Sequence, residues 1–142
     1  MAKHSFLLTC IAIVVLSACT APGPQSEETM PARPHSSRDA LDWAGTYAGT
    51  LPCADCPGIR TKVQLRMDGT FTLTQEYLER SAAPYVTDGR FEWDADGRDV
   101  ILASPGGPMR FWVGEGWLQL RDRAGQPIGG PNAAAYSLRK QP

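Results

Sequence analysis

Residues 61–74 read Thr-Lys-Val-Gln-Leu-Arg-Met-Asp-Gly-Thr-Phe-Thr-Leu-Thr. Val63, Leu65 and Met67 alternate with polar residues, and Phe71 and Leu73 resume the alternation after Asp68-Gly69. A period of two puts one set of side chains on one face of an extended strand. Asp-Gly between two such runs is a hairpin signal, because a primed turn needs positive φ at its central positions. The stretch therefore predicts two antiparallel strands, Thr61 to Met67 and Thr70 to Leu78, with one buried face.

The same grammar extends in both directions. Trp43 to Thr50 is a preceding strand, and Tyr85 with Val86 starts one that Arg90 to Trp93 continues or succeeds. Val100 to Ala103, Met109 to Val113, Trp117 to Leu120 and Ala135 to Arg139 complete the series. Turn residues separate them at Asp94–Gly97, Ser104–Pro108, Gly114–Gly116 and Ala124–Pro127. Helical periodicity is nearly absent. Seven or eight short strands joined by turns predict an all-β domain, a closed antiparallel barrel or a sandwich over residues 41–142. Closure removes exposed edges, and eight strands leave room for side chains or one small ligand. The in-strand tryptophans are expected to fill the core.

The chain has 142 residues, too few for a second large domain after its N-terminal segments are set aside. Lys3 and His4 precede an apolar run from Phe6 to Leu16, of signal-peptide length and too short to span a bilayer. The run ends in Leu16-Ser17-Ala18-Cys19, which resembles the lipobox of bacterial lipoproteins. That resemblance implies a signal peptide over residues 1–18 and a lipid-modified Cys19. Thr20 after the cysteine points by the usual sorting pattern to the outer membrane. Residues 19–40, rich in Pro, Ser and Glu, read as a flexible tether, since they cannot bury enough to offset ordering. Met30 and His35 fall within it. The formal charge is −1, without blocks of like sign, so no nucleic-acid partner is expected.

Site chemistry is sparse. The domain contains no histidine, so nucleophile–base pairs of the Ser-His or Cys-His kind are excluded, and no phosphate-binding glycine motif occurs. Asp94, Asp96 and Asp99 read as a solvated turn, with a weak calcium site as the alternative. The chain is expected not to be an enzyme. With Cys10 in the leader and Cys19 acylated, Cys53 and Cys56 remain as the free pair, in Leu51-Pro-Cys-Ala-Asp-Cys-Pro-Gly58. Pro57-Gly58 and a following strand deprive the pair of the helix N-terminus that activates a thioredoxin-type thiol. A structural zinc site lacks its other two ligands. A small disulfide, favoured in an oxidising compartment, a Cu(I) site with a thioether from Met67 or Met109, and a pair that exchanges redox state all stay open.

The string Gly45-Thr-Tyr47-x-Gly-Thr-Leu-Pro-Cys-Ala-Asp-Cys-Pro-Gly-Ile59 resembles the N-terminal domain of the NlpE (CutF) family of copper-homeostasis and envelope-stress lipoproteins. Asp68-Gly-Thr70, Tyr77-Leu78, Gly89-x-Phe-x-Trp93 and Tyr136-x-Leu138 fit the same pattern. The resemblance covers about residues 43–140. It implies a lipocalin-like β-barrel, an outer-membrane lipid anchor facing the periplasm, and a link to copper tolerance and Cpx-type stress signalling. An envelope-stress sensor protein is then the implied partner, with Cys53 and Cys56 as the family's CxxC, proposed as a metal or redox site. Well-known members carry a further C-terminal domain, and signalling that depends on it lies outside the resemblance. The alternative is a small barrel that binds an apolar ligand or a periplasmic protein, as a lysozyme inhibitor does, with the CxxC a structural disulfide.

Overall fold

A computed structural model describes residues 35–80 and 82–142. The expected signal peptide, Cys19, Met30 and most of the tether lie outside the described residues. The rest forms an eight-stranded antiparallel barrel: β1 (Gly45–Leu51), β2 (Ile59–Leu65), β3 (Thr70–Tyr77), β4 (Tyr85–Trp93), β5 (Asp99–Leu102), β6 (Met109–Gly114), β7 (Trp117–Leu120) and β8 (Ser137–Lys140). The strands pair in sequence order, and β1 pairs with β8 to close the sheet. All pairings close within residues 45–140. The barrel is the closed alternative of the two architectures that the alternation allows.

The hairpin of residues 61–74 forms with a different turn. Leu65 pairs with Phe71, and Arg66 to Gly69 make the reversal, with Gly69 N–H donating to Arg66 O at 3.0 Å. Gly69 alone takes positive φ, at +80°, so the turn is not the two-residue primed type. Asp68 instead accepts from the Thr70 N–H at 2.9 Å and from its hydroxyl at 2.7 Å. Met67 is thereby moved off the Val63/Leu65 face and stands 78% exposed. Tyr85 to Trp93 proves one continuous strand, and β8 starts only at Ser137, after a 3-10 turn at Ala133–Tyr136.

Alternation fills the interior. Tyr47, Val63, Leu65, Phe71, Leu73, Val100 and their inward neighbours are fully buried. Each such aliphatic or aromatic side chain contributes about 1.5–3 kcal/mol on leaving water. Gly89 pairs with Phe71, and a Cβ there would approach the Phe71 ring to 3.0 Å, so glycine makes the space that the ring occupies.

One end of the barrel is plugged. Trp43, Phe91 and Trp93 meet edge to face at centroid distances of 5.7, 5.4 and 6.2 Å. A four-residue helix, α1 (Ser37–Ala40), capped by Ser36, lies before them, and Arg38 N–H donates to Gly97 O at 3.0 Å. Trp43 Nε1 in turn donates to Arg38 O at 3.1 Å. Residues 36–40, inside the stretch drawn as tether over residues 19–40, are thus docked on the barrel, Ser36 by packing against Gly97 and the Arg38 backbone by its bond to Gly97 O. Trp112 and Trp117 differ from the expectation of core filling: they stack edge to face on the outer surface, where β6 and β7 alternate outward.

Candidate functional site

The opposite end carries the connections β1–β2 (52–58), β3–β4 (78–84), β5–β6 (103–108) and β7–β8 (121–136), since an up-and-down barrel puts alternate loops on one rim. The Cys53/Cys56 stretch is the first of these. Leu51 and Ile59 are the last paired residues of β1 and β2, and the loop beyond them is closed by a Cys53–Cys56 disulfide with a Cα–Cα distance of 5.3 Å. Pro52 and Pro57 flank the pair, and neither cysteine lies on a helix. Gly58 is buried, and a Cβ there would come within 2.5 Å of the Thr50 methyl, so the return into β2 requires glycine.

Both cysteines are half-buried, with exposed Asp55 between them. Its Oδ1 lies 3.6 Å from Cys53 Sγ, a packing contact, since a disulfide sulfur has no hydrogen to donate. The two sulfurs and the Asp55 carboxylate lie within 4.8 Å of one another. In the bonded pair both sulfurs are spent on each other and cannot ligate a metal as thiolates. Reduction by two electrons and two protons from a dithiol would free two thiols beside that carboxylate, a donor set that suits a soft monovalent ion better than calcium. Met67 lies at the far end of the barrel, in the β2–β3 turn, and does not belong to this group. Met109 begins β6 on the cysteine end.

Asp55 also reaches outward. Arg80 Nη1 binds its Oδ2 at 2.8 Å, joining the β1–β2 and β3–β4 loops, and Leu78 N–H donates to Gly58 O at 3.0 Å. Among the described residues Glu79, just before Arg80, is the one non-glycine residue held at positive φ, +61°, a conformation few side chains adopt without a local reason. The ion pair was not legible in the sequence, because it couples residues from separate loops and Arg80 sits in no motif.

The aspartate turn comes apart into two structural roles. Asp94 Oδ1 accepts from the N–H groups of Arg98 and Asp99, at 2.8 and 3.0 Å, which makes the β4–β5 turn. Asp99 is buried, with Arg121 Nε at 3.6 Å and Arg110 Nη1 at 3.8 Å from its carboxylate. Burial raises its pKa above the usual carboxylate range against the pull of Arg121. Among the described residues, these aspartates do not gather as a cation site.

The comparisons with known proteins agree with this geometry. Residues 47–131 match the family model described as the NlpE N-terminal domain. The chain is 32% identical over 84 residues to Lipoprotein NlpE of Escherichia coli (strain K12), covering 58% of this chain and 36% of that protein. It is 45% identical over 49 residues to the 17 kDa lipoprotein of Treponema pallidum (strain Nichols), covering 34% and 31% respectively. The chain thus spans about a third of the length of these two relatives. Among solved structures, a Shewanella oneidensis protein assigned as a lipoprotein aligns with a TM-score of 0.69 and 39% identity, over 75% of this chain and 95% of that one. The Cpx pathway activator NlpE from Escherichia coli aligns with a TM-score of 0.50 and 29% identity, over 61% and 46%. With the family model matched across most of the barrel, and a shared closed sheet, the chain belongs to the NlpE family through its N-terminal domain.

Proposed function

We propose that this protein is a non-enzymatic, lipid-anchored protein of the bacterial envelope that contributes to copper handling and Cpx-type stress sensing through Cys53 and Cys56. Residues 1–18 act as its signal peptide, acylated Cys19 as its outer-membrane anchor, and the tether runs from Cys19 to the docked turn that Ser36 caps. The names of its relatives support the lipoprotein part of this reading. One of them is described as a Cpx pathway activator, which supports the signalling part.

The observation that carries the cysteine role is the place of the disulfide. It closes a half-exposed loop beyond the Leu51↔Ile59 pair, so it can open without breaking a strand pairing or uncovering the core. A bond of that kind is free to respond, whereas one buried in the core is inert. Reduced, the pair supplies two thiolates to Cu(I), with Asp55 beside them.

Alkylation trapping of free thiols in growing cells, with and without added copper, tests the reading. A thiol fraction that rises or falls with copper supports it, and a pair wholly oxidised in both conditions sinks it. Fractionation of Cys19→Ser cells checks the anchor: the variant leaves the membrane fraction if acylation holds it there.

A further inference from the structure

The disulfide end of the barrel is open, unlike the end plugged by Trp43, Phe91 and Trp93. Leu73 is fully buried, and alternation makes Gln75 and Tyr77 the next inward positions of β3. On β4, Tyr85 stands opposite Gln75 and Thr87 opposite Leu73. With Met109, which packs on the core, and Arg80 from the rim, they line a cup of about 560 Å³ at the barrel mouth. That volume lies within the ~300–1,000 Å³ range of small-molecule sites.

Its lining differs in kind from the interior. The buried inward positions are mostly Val, Leu, Phe and Tyr, with Thr61 satisfied by the Ile59 carbonyl, but at the mouth Gln75 and Thr87 point into the barrel. Among the described residues neither side chain has a hydrogen-bond partner, so both offer polar groups to the cup. Tyr77 and Tyr85 meet edge to face at 5.9 Å, and Tyr85 is 63% exposed, a large aromatic left uncovered on the rim. Leu73, the next inward residue of β3, is fully buried, so the interior beyond the cup is filled. A ligand here is therefore compact, with an apolar or ring-bearing body against the tyrosines and Met109, and polar atoms at Gln75 and Thr87.

Arg80 indicates the ligand's charge. It lines the cup and already holds a carboxylate, that of Asp55, at 2.8 Å. Both side chains are more than half exposed, so the pair is weak and an incoming anion can exchange for Asp55. We propose that the mouth of this barrel binds a compact amphipathic anion, with Arg80 as its cationic contact and Asp55 as the internal anion that competes for Arg80. The site shares Asp55 with the copper reading of the cysteines but does not rest on that reading.

Residues 33–142 suffice for the test, because the sheet closes on itself within residues 45–140 and the Shewanella relative that aligns over 95% of its length crystallised as this barrel. Fluorescence titration with anilinonaphthalene sulfonate, a compact ring-bearing anion, is expected to saturate at one equivalent. Arg80→Gln should weaken the probe by about fivefold and Asp55→Asn should tighten it by about as much, effects of opposite sign at the scale of an exposed ion pair. Phenylnaphthylamine, an uncharged relative of the probe, should bind with no dependence on either substitution. Arg90→Gln, equal in charge but at the opposite rim, should leave anion affinity unchanged. Absence of saturable binding overturns the proposal. So does equal weakening by Arg80→Gln and Arg90→Gln, which would mean attraction to overall charge alone.

Discussion

The Tyr47 hydroxyl donates to the Trp43 carbonyl at 2.7 Å, and Tyr47 is fully buried on the first strand of the barrel. The bond ties the segment that plugs the closed end to the wall that it plugs. Burial, with the Asp42 carboxylate adding to it, pushes the phenol up from 10.0 to about 12. A raised pKa means that the folded state holds its proton more tightly, so the stability it confers is complete below pH 10.0 and is lost as pH rises toward about 12. Chemical denaturation at a series of alkaline pH values should register a loss of about 2 kcal/mol across that window. Tyr47→Phe should be less stable at neutral pH and should flatten the alkaline slope. An unchanged slope would assign it to other groups.

The plugged body and the open mouth predict contrasting costs of truncation on one strand. Phe71→Ala removes a fully buried ring and should cost about 3–5 kcal/mol. Gln75→Ala, four residues on and on the same face, lines the cup and should stay within about 0.5 kcal/mol of the parent. Paired urea melts of the two variants measure the difference. Similar losses would mean that the mouth is packed as tightly as the core.

Removing the disulfide should leave the fold in place. The ring of four residues that it closes restricts the unfolded chain by about 2 kcal/mol at most in the chain-entropy account. Cys53→Ser/Cys56→Ser is expected to keep the barrel's far-ultraviolet circular dichroism and to lower the urea midpoint modestly. Loss of cooperative unfolding in the double variant would overturn the view of the bond as a loop element.

Acid titration should separate two aspartates. Asp68 accepts two hydrogen bonds from Thr70, which hold its pKa below the usual value. Its contribution is present above its unfolded pKa and lost as pH falls through the lowered folded one. Asp99 is shifted upward, by burial first, so its proton is bound more tightly in the folded state. That contribution is complete below its unfolded pKa and is lost as pH rises through the folded one. Asp68→Asn should therefore soften the acid loss of stability, and Asp99→Asn should steepen it. Melts between pH 2 and pH 6, a window set by ordinary carboxylate values near ~4, decide the signs.

The reach of the sequence can be judged at particular residues. Val63, Leu65, Phe71 and Leu73 alternate with polar neighbours, and all four are buried in the barrel, because a period of two is a local property of an extended chain. The turn between them was read from Asp68-Gly69 as a primed turn, but the reversal spans Arg66 to Gly69 and Met67 is exposed. Turn type depends on which carbonyl the returning strand meets, and two letters do not specify that. Trp112 and Trp117 are hydrophobic letters in strands, yet they stack outside, because neither strand's letters say which face the closed sheet will turn inward.

By itself, then, the sequence determined the all-β class, the order of the strands and the family, since alternation, turn residues and the Gly45–Ile59 string are all written in consecutive letters. Tertiary structure decided what the two ends of the barrel are. The pairing of β2 with β3 brought Asp55 to Arg80, from another loop, and the curl of the sheet set Met109 and the β5–β6 loop beside Gln75 and Tyr85. Closure left three aromatic rings to plug one end and a disulfide loop on the rim of the other. Which side chains line a cavity depends on where distant strands meet, and that information exists only once the sheet has closed.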